Sequence, residues 1–313
     1  MIRSEQSMTV RTALVAVLVA GLMGGCSSVP RPPETIVVRR NRAAQLAEFG
    51  NSHFSRGLYT QALQFFELSL QENQAVDHLP GIARSHNSIG RVHLATGELE
   101  RARVSFETAL TVSRRHGLVL PETQSLANLG ELALRTGDLR GARAFMTEGL
   151  TLVGGNDRTT EGSILLHNLA ELEMREGNLT EAERLATRAL QNNMAAKRYE
   201  EGAANHYLLS RIAHRDGDNR RALHHAREAL SYDKRMENSP GIAQDLVAIA
   251  ELLAIAGEDP QVIADYLVRA ADVYRALGRA DRETAVLMRA EELAAGNAET
   301  MRRIRARRGE PNE

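Results

Sequence analysis

A glycine returns every forty residues in this chain, at Gly57, Gly97, Gly137, Gly177, Gly217 and Gly257. No other feature narrows the fold as much, because a fixed period of roughly 20–50 residues marks a stack of repeated units. Ahead of each glycine stands a small residue, namely Gly50, Gly90, Gly130, Ala170, Ser210 and Ala250. Each of these follows an apolar one: Phe49, Ile89, Leu129, Leu169, Leu209 and Ile249. Beyond the glycine come Ala62, Ala102, Ala142, Ala182 and Ala222, then Ser69, Ala109, Gly149, Ala189 and Ala229, each trailed by a leucine. The sixth unit keeps the pattern with two residues inserted near Pro260, which gives Ala264 and Ala271. The string Pro-Gly-Ile-Ala, at 80–83 and again at 240–243, obeys the same period.

Two antiparallel helices per unit explain the pattern. The small residue of helix A and the alanine of helix B let two backbones approach. The glycine ends helix A, since it takes the left-handed conformation without a Cβ penalty. Pro80, Pro121 and Pro240 suit the first turn of a new helix A. Thr180-Glu181-Ala182-Glu183 has the spacing of a capping box at the start of a helix B. Arg282 to Ala295 forms an amphipathic helix with Ala285, Leu287, Ala290 and Leu293 on one side, and caps the last unit. The expected fold class is all-α, an α-solenoid of about six helix–turn–helix units plus a C-terminal capping helix.

The small residue, the inter-helix glycine and the two small helix-B positions resemble the tetratricopeptide repeat family over residues 43–296. Two departures stand out. Leu46, His86, Leu126, Leu166, His206 and Leu246 occupy the place of the usual helix-A aromatics, and the period is 40 where 34 is usual in that family. Six extra residues lengthen either the helices or the turns. Long repeats of this kind resemble those of kinesin light chains. The resemblance implies a right-handed superhelix whose helix A lines a concave groove. It carries Arg91, Asn128, Arg135, Asn168, Arg175, Arg211 and Arg215 onto that inner surface. Asn can donate to and accept from a peptide backbone, and Arg can clamp a carboxylate. The groove is therefore expected to bind an extended, partly acidic peptide segment. The competing reading makes these solvated helix faces, with Glu131 and Glu171 pairing with Arg135 and Arg175 at i, i+4.

The first residues carry an address. Arg3 and Arg11 flank an n-region, Thr12 to Gly24 is apolar, and Gly24-Gly25 precede Cys26, the chain's single cysteine. The apolar run is shorter than the roughly 20 residues a spanning helix needs, so it reads as a signal peptide over residues 1–25. Leu22-Met23-Gly24-Gly25-Cys26 resembles a bacterial lipobox, which implies cleavage before Cys26 and its acylation. Ser27, with no Asp at that place, implies by the same resemblance an outer-membrane lipoprotein facing the periplasm. Residues 26–42, with Pro30, Pro32 and Pro33, read as a semi-extended tether.

Composition closes other routes. One cysteine leaves no internal disulfide and no Cys-rich metal site. A net charge of −1 is unlike that of a nucleic-acid binder. No phosphate loop, dinucleotide fingerprint or hydrolase motif is present, and the ten histidines show no metal spacing. His224 and His225, being adjacent, are expected to point to different sides. The expectation is a non-enzyme without cofactor or metal, a membrane-anchored scaffold for a protein partner of the cell envelope. The second reading is a sensor for a signal peptide or small ligand. The end, residues 297–313, holds five arginines between Met301 and Arg308. It reads either as a basic helix terminus or as a contact for anionic headgroups.

Overall fold

The structure, a computed structural model, describes residues 35–293 together with Met301, Arg302, Ile304 and Arg305. The segment expected to be a signal peptide, and Cys26, therefore lie outside the described residues. Thirteen helices follow one another, and no strand occurs among the described residues. They pair as α1 (Ile36–Ser55) with α2 (Tyr59–Gln74), α3 (Leu79–Thr96) with α4 (Leu99–Arg115), and α5 (Val119–Thr136) with α6 (Leu139–Leu152). Then come α7 (Thr160–Glu176) with α8 (Leu179–Ala195), α9 (Tyr199–Arg215) with α10 (Asn219–Arg235), and α11 (Ser239–Ile255) with α12 (Pro260–Ala276). The last, α13 (Ala280–Leu293), covers the end of the stack. The protein is an α-solenoid of six two-helix units and a cap. Turns inside a unit span only two to four residues, so the long period goes into longer helices.

The periodic residues do what their chemistry suggests. All six inter-helix glycines have positive φ, from 74° to 89°. Ala62, Ala102, Ala142, Ala182 and Ala222 are fully buried. Pro80, Pro121 and Pro240 sit in first turns. Leu287 and Ala290 of α13 are buried against α12, as a cap requires. Phe49 departs from its five counterparts: it is 55% exposed, because no helical unit packs ahead of α1 among the described residues.

Two local expectations change. The tether expected to reach residue 42 is already helical at Ile36, where the Thr35 hydroxyl accepts the Val38 N–H at 3.3 Å and caps α1. The capping box at Thr180 does not form. Helix α8 begins one residue earlier, at Leu179, with Asn178 in the capping position and no side-chain cap bond. Ile304, within the arginine-rich C-terminal segment, is fully buried in the last core cluster. No helix of the described residues is long and apolar enough to cross a membrane.

Candidate functional site

Stacking places the A helices (α1, α3, α5, α7, α9 and α11) side by side along one concave wall. Their inner residues line a single cavity of about 1020 Å³ that draws on all six units. The array also closes on itself. Ser55 Oγ, at the end of α1, donates to Glu200 Oε2 in α9 at 3.3 Å, across 145 residues. Gly57, in the turn after α1, lies against Pro240 and Leu277, so close that a Cβ there would sit 2.5 Å from Leu277 Cδ2. The first unit thus meets the fifth and sixth, and the cavity is a chamber walled by a closed ring of units.

Six of the seven residues expected in the groove line this chamber: Arg91, Asn128, Arg135, Asn168, Arg175 and Arg211. Arg215 is not among the lining residues. Its guanidinium donates to Met174 O, one unit back. Arg135 and Arg175 make the same bond in their own units, to Leu94 O at 3.1 Å and Leu134 O at 2.6 Å. These three carbonyls belong to the last turn of the preceding helix A, where the inter-helix glycine N–H also bonds. A guanidinium there meets the negative end of the helix dipole. Each arginine is thus a brace between units. The i, i+4 pairs form as well, Arg135 to Glu131 at 3.0 Å and Arg175 to Glu171 at 2.8 Å.

The remaining members are also engaged. Arg211 grips both oxygens of Glu171 across a unit boundary, at 2.6 and 3.2 Å. Arg91 lies over the Phe54 ring, 4.7 Å from its centroid. Asn128 donates to Asn87 Oδ1 at 3.2 Å and Asn168 to Ala127 O at 3.1 Å, each tying its unit to the previous one. The inner surface of units two to five is therefore largely satisfied by itself. Arg40 and Arg84 also line the chamber, and both act electrostatically on His78.

A second group was not singled out by sequence reading. In helix B and the next helix A, a buried pair recurs: Asn73 with Ser85, Ser113 with Ser125, Asn193 with Asn205, and Asp233 with Asp245. In the first pair Asn73 donates to Ser85 Oγ at 3.4 Å. The last pair has two carboxyls where the others have neutral groups. Burial pushes both Asp233 and Asp245 upward, and the neighbouring carboxyl pushes Asp245 further. Glu200 and Glu201 line the chamber beside them, and burial raises Glu200 as well. The pairs were visible in the forty-residue register, but only if the end of each helix B is read together with the start of the next helix A.

Histidines meet in the same unit. His206 Nδ1 and His225 Nδ1 lie 3.1 Å apart, on α9 and α10, and Tyr232 stacks on the His206 ring. Their separation of 19 residues hid the contact in the sequence. Burial, with the neighbouring histidines, lowers His206 to about 4. No cluster of three or more metal-ligating side chains occurs among the described residues.

A family model described as tetratricopeptide repeat matches residues 42–115. No curated protein matches the chain. Among solved structures, the Rap conjugation gene regulator of the plasmid pLS20, in complex with the Phr* peptide, is similar at a TM-score of 0.57 and 16% identity. That match covers 89% of this chain and 80% of the other. A Rap protein complexed with Competence and Sporulation Factor aligns at 0.57 and 12% identity, over 85% and 78% of the two chains. Aspartyl phosphate phosphatase F from Bacillus subtilis aligns at 0.51 and 12% identity, over 82% and 70%. At these identities the likeness is one of fold: a tetratricopeptide-type solenoid.

Proposed function

We propose that the protein is a membrane-anchored binding scaffold of the cell envelope, which holds a peptide segment of a protein partner in the concave chamber. The observation that carries this reading is the chamber itself. It is one continuous cavity of about 1020 Å³ to which every unit contributes. The wall histidines His78 and His167 bond the amide oxygens of Asn73 and Asn205. Support for a peptide occupant comes from the solenoids of similar fold that are described with a bound peptide or factor. The address rests on Cys26 and its lipobox. Acylation there anchors the chain to the outer membrane, and the segment before Ile36 spaces the solenoid from the bilayer.

Affinity capture from native membranes, with crosslinking, tests the binding role. Arg40 and Arg84 line the chamber without an ion-pair partner among the described residues, so reversing both to Glu disturbs the occupant without breaking a brace. The scaffold reading expects a specific envelope protein captured by the wild type and lost by Arg40→Glu/Arg84→Glu. Capture that survives the double change counts against the chamber as the binding surface. Recovery of a small molecule with no protein favours the sensor reading. Labelling with a clickable fatty acid tests the anchor. It is expected in the wild type and absent in Cys26→Ala, and labelling of the variant overturns lipid attachment at this residue.

A further inference from the structure

A stack of repeats has two end faces, and a terminal unit needs a polar outer side to keep its end in water. This solenoid meets that need at one end only. At the C-terminal end, α13 buries Leu287 and Ala290 in the last core cluster and leaves Asp281, Arg282, Arg289 and Glu292 exposed. At the other end, no helix packs ahead of α1 among the described residues. Val38 is 46% exposed there, Phe49 55% and Leu68 45%.

These side chains form one surface. Phe49 follows Val38 by about three helical turns, so the two share a face of α1. Phe49 packs on the Phe65 ring of α2, with centroids 5.7 Å apart, and His53 lies 5.0 Å from the same ring. Leu68 is a helical neighbour of Phe65 on the same side of α2. Arg42 sits between Val38 and Phe49 and pairs with Glu72 of α2 at 3.3 Å. Ile36 and Val37 are still more exposed and carry the apolar surface to the start of α1. None of Ile36, Val37, Val38, Phe49 and Leu68 belongs to a core cluster. Ring closure uses the turn after α1, through Ser55 and Gly57, and leaves this face open. A contiguous apolar patch with a polar rim marks a contact surface.

What covers the face follows from where the chain leads. Helix α1 begins at Ile36, ten residues after Cys26. Even fully extended, that stretch spans at most about 35 Å. The uncapped end is therefore the one that acyl chains on Cys26 hold within reach of the bilayer. We propose that the end face of the first unit, Val38, Phe49 and Leu68 with the first turn of α1, rests on the phospholipid surface that holds those acyl chains. This rests on the reading of Cys26 as acylated, and it adds the face by which the solenoid meets the membrane. The segment before Ile36 sets the greatest separation the anchor permits, and the end face draws the first unit in to the surface. The contact is interfacial, because no helix of the described residues is long and apolar enough to cross a membrane. Side chains of such a face enter about 5–10 Å, to the boundary of headgroups and acyl chains.

The chain has no tryptophan, so a single introduced one reports on a single place. Val38→Trp, Phe49→Trp and the control Val104→Trp each alter an exposed residue, and thermal melting by circular dichroism checks the fold. Each full chain, purified from membranes, is reconstituted into vesicles of phosphatidylethanolamine and phosphatidylglycerol, with and without brominated acyl chains. Brominated lipid is expected to remove about half or more of the emission of Val38→Trp or Phe49→Trp, as for an indole at the headgroup boundary, and to leave Val104→Trp unchanged. Such quenching at either end-face position supports the contact. Flotation of the vesicles and the fatty-acid label on Cys26 read the anchor separately. Protein that floats with neither end-face position quenched, or with Val104→Trp quenched equally, overturns the contact and leaves the anchor standing. Protein that does not float overturns both. An emission shift that grows with protein concentration, without quenching, assigns the face to a second copy of the chain and overturns the bilayer contact.

Discussion

Gly90 and Phe106 fit each other because one lacks the atom whose space the other fills: a Cβ on Gly90 would lie 2.4 Å from Phe106 Cε1. The first unit repeats the arrangement with Gly50 and Phe66, where the distance is 2.5 Å. In the third unit Met146 replaces the ring, and a Cβ on Gly130 would meet it at 3.0 Å. From the fourth unit on, the small residue gains a Cβ and the facing residue shrinks, giving Ala170 with Ala186 and Ser210 with Ala226. The contact between helices A and B thus conserves volume, not residue type. Gly90→Ala is expected to destabilise by about 1–3 kcal/mol. Phe106→Ala alone is expected to cost about 3–5 kcal/mol. The double variant installs the fourth unit's arrangement, so it should lose less than the sum of the two. Urea denaturation of the four proteins gives the coupling. Strict additivity contradicts the size exchange.

The arginine braces predict a loss of stability that is independent of any ligand. Arg175→Ala removes the bond to Leu134 O and the pair with Glu171. The carbonyl keeps its bond from the Gly137 N–H. The expected cost is therefore moderate, about 0.5–1.5 kcal/mol. Thermal melting with no ligand present reads it directly. An unchanged melting temperature removes the bracing role and returns Arg175 to the groove as a free clamp.

Acid should weaken the fold through His206. Its folded-state value is lowered to about 4, against an ordinary 6.5, by burial first and by His225 and His224 next. Between these values the unfolded chain binds more protons than the folded one, so stability rises with pH across that window and is complete above it. His206→Leu places the residue found at Leu126 and Leu166. The melting temperature of this variant is expected to change less between pH 4 and pH 6.5 than that of the wild type. Parallel curves contradict the assignment.

The aspartate pair predicts the opposite slope. Burial, then the charge of Asp233, raises Asp245 far above its ordinary 3.8. The folded state now holds the proton more tightly than the unfolded chain, so stability is complete below about pH 4 and declines as pH rises. Asp245→Asn should therefore melt higher than the wild type at pH 8. The two should converge as pH falls toward 4. A variant that is less stable at pH 8 contradicts this.

The helical pairing, the turn glycines and the cap were all legible from period and residue size, because close helix packing admits few side chains at Gly50, Ala62 or Gly57. The course of the chain between units was less so. The left-handed turns there fall on Asp77, Lys197 and Glu237 as well as on Gly117, so no single residue type marks them. The inner position of Arg135 and Arg175 was also legible, but their roles were not. A sequence shows that an arginine faces the groove, yet not that a carbonyl forty-one residues earlier comes within its reach. Ring closure between Ser55 and Glu200 depends on curvature summed over five units, which no local pattern encodes.

Site-specific photocrosslinking in intact cells tests the chamber as binding surface most directly. Ala44 and Ala204 are exposed residues of its wall, whereas Val104 and Leu68 are exposed residues outside it. A crosslinker at either Ala44 or Ala204 is expected to capture the same envelope partner through one peptide segment, while crosslinkers at Val104 and Leu68 capture none. Adducts formed from Val104 or Leu68 but from neither wall position would contradict the account.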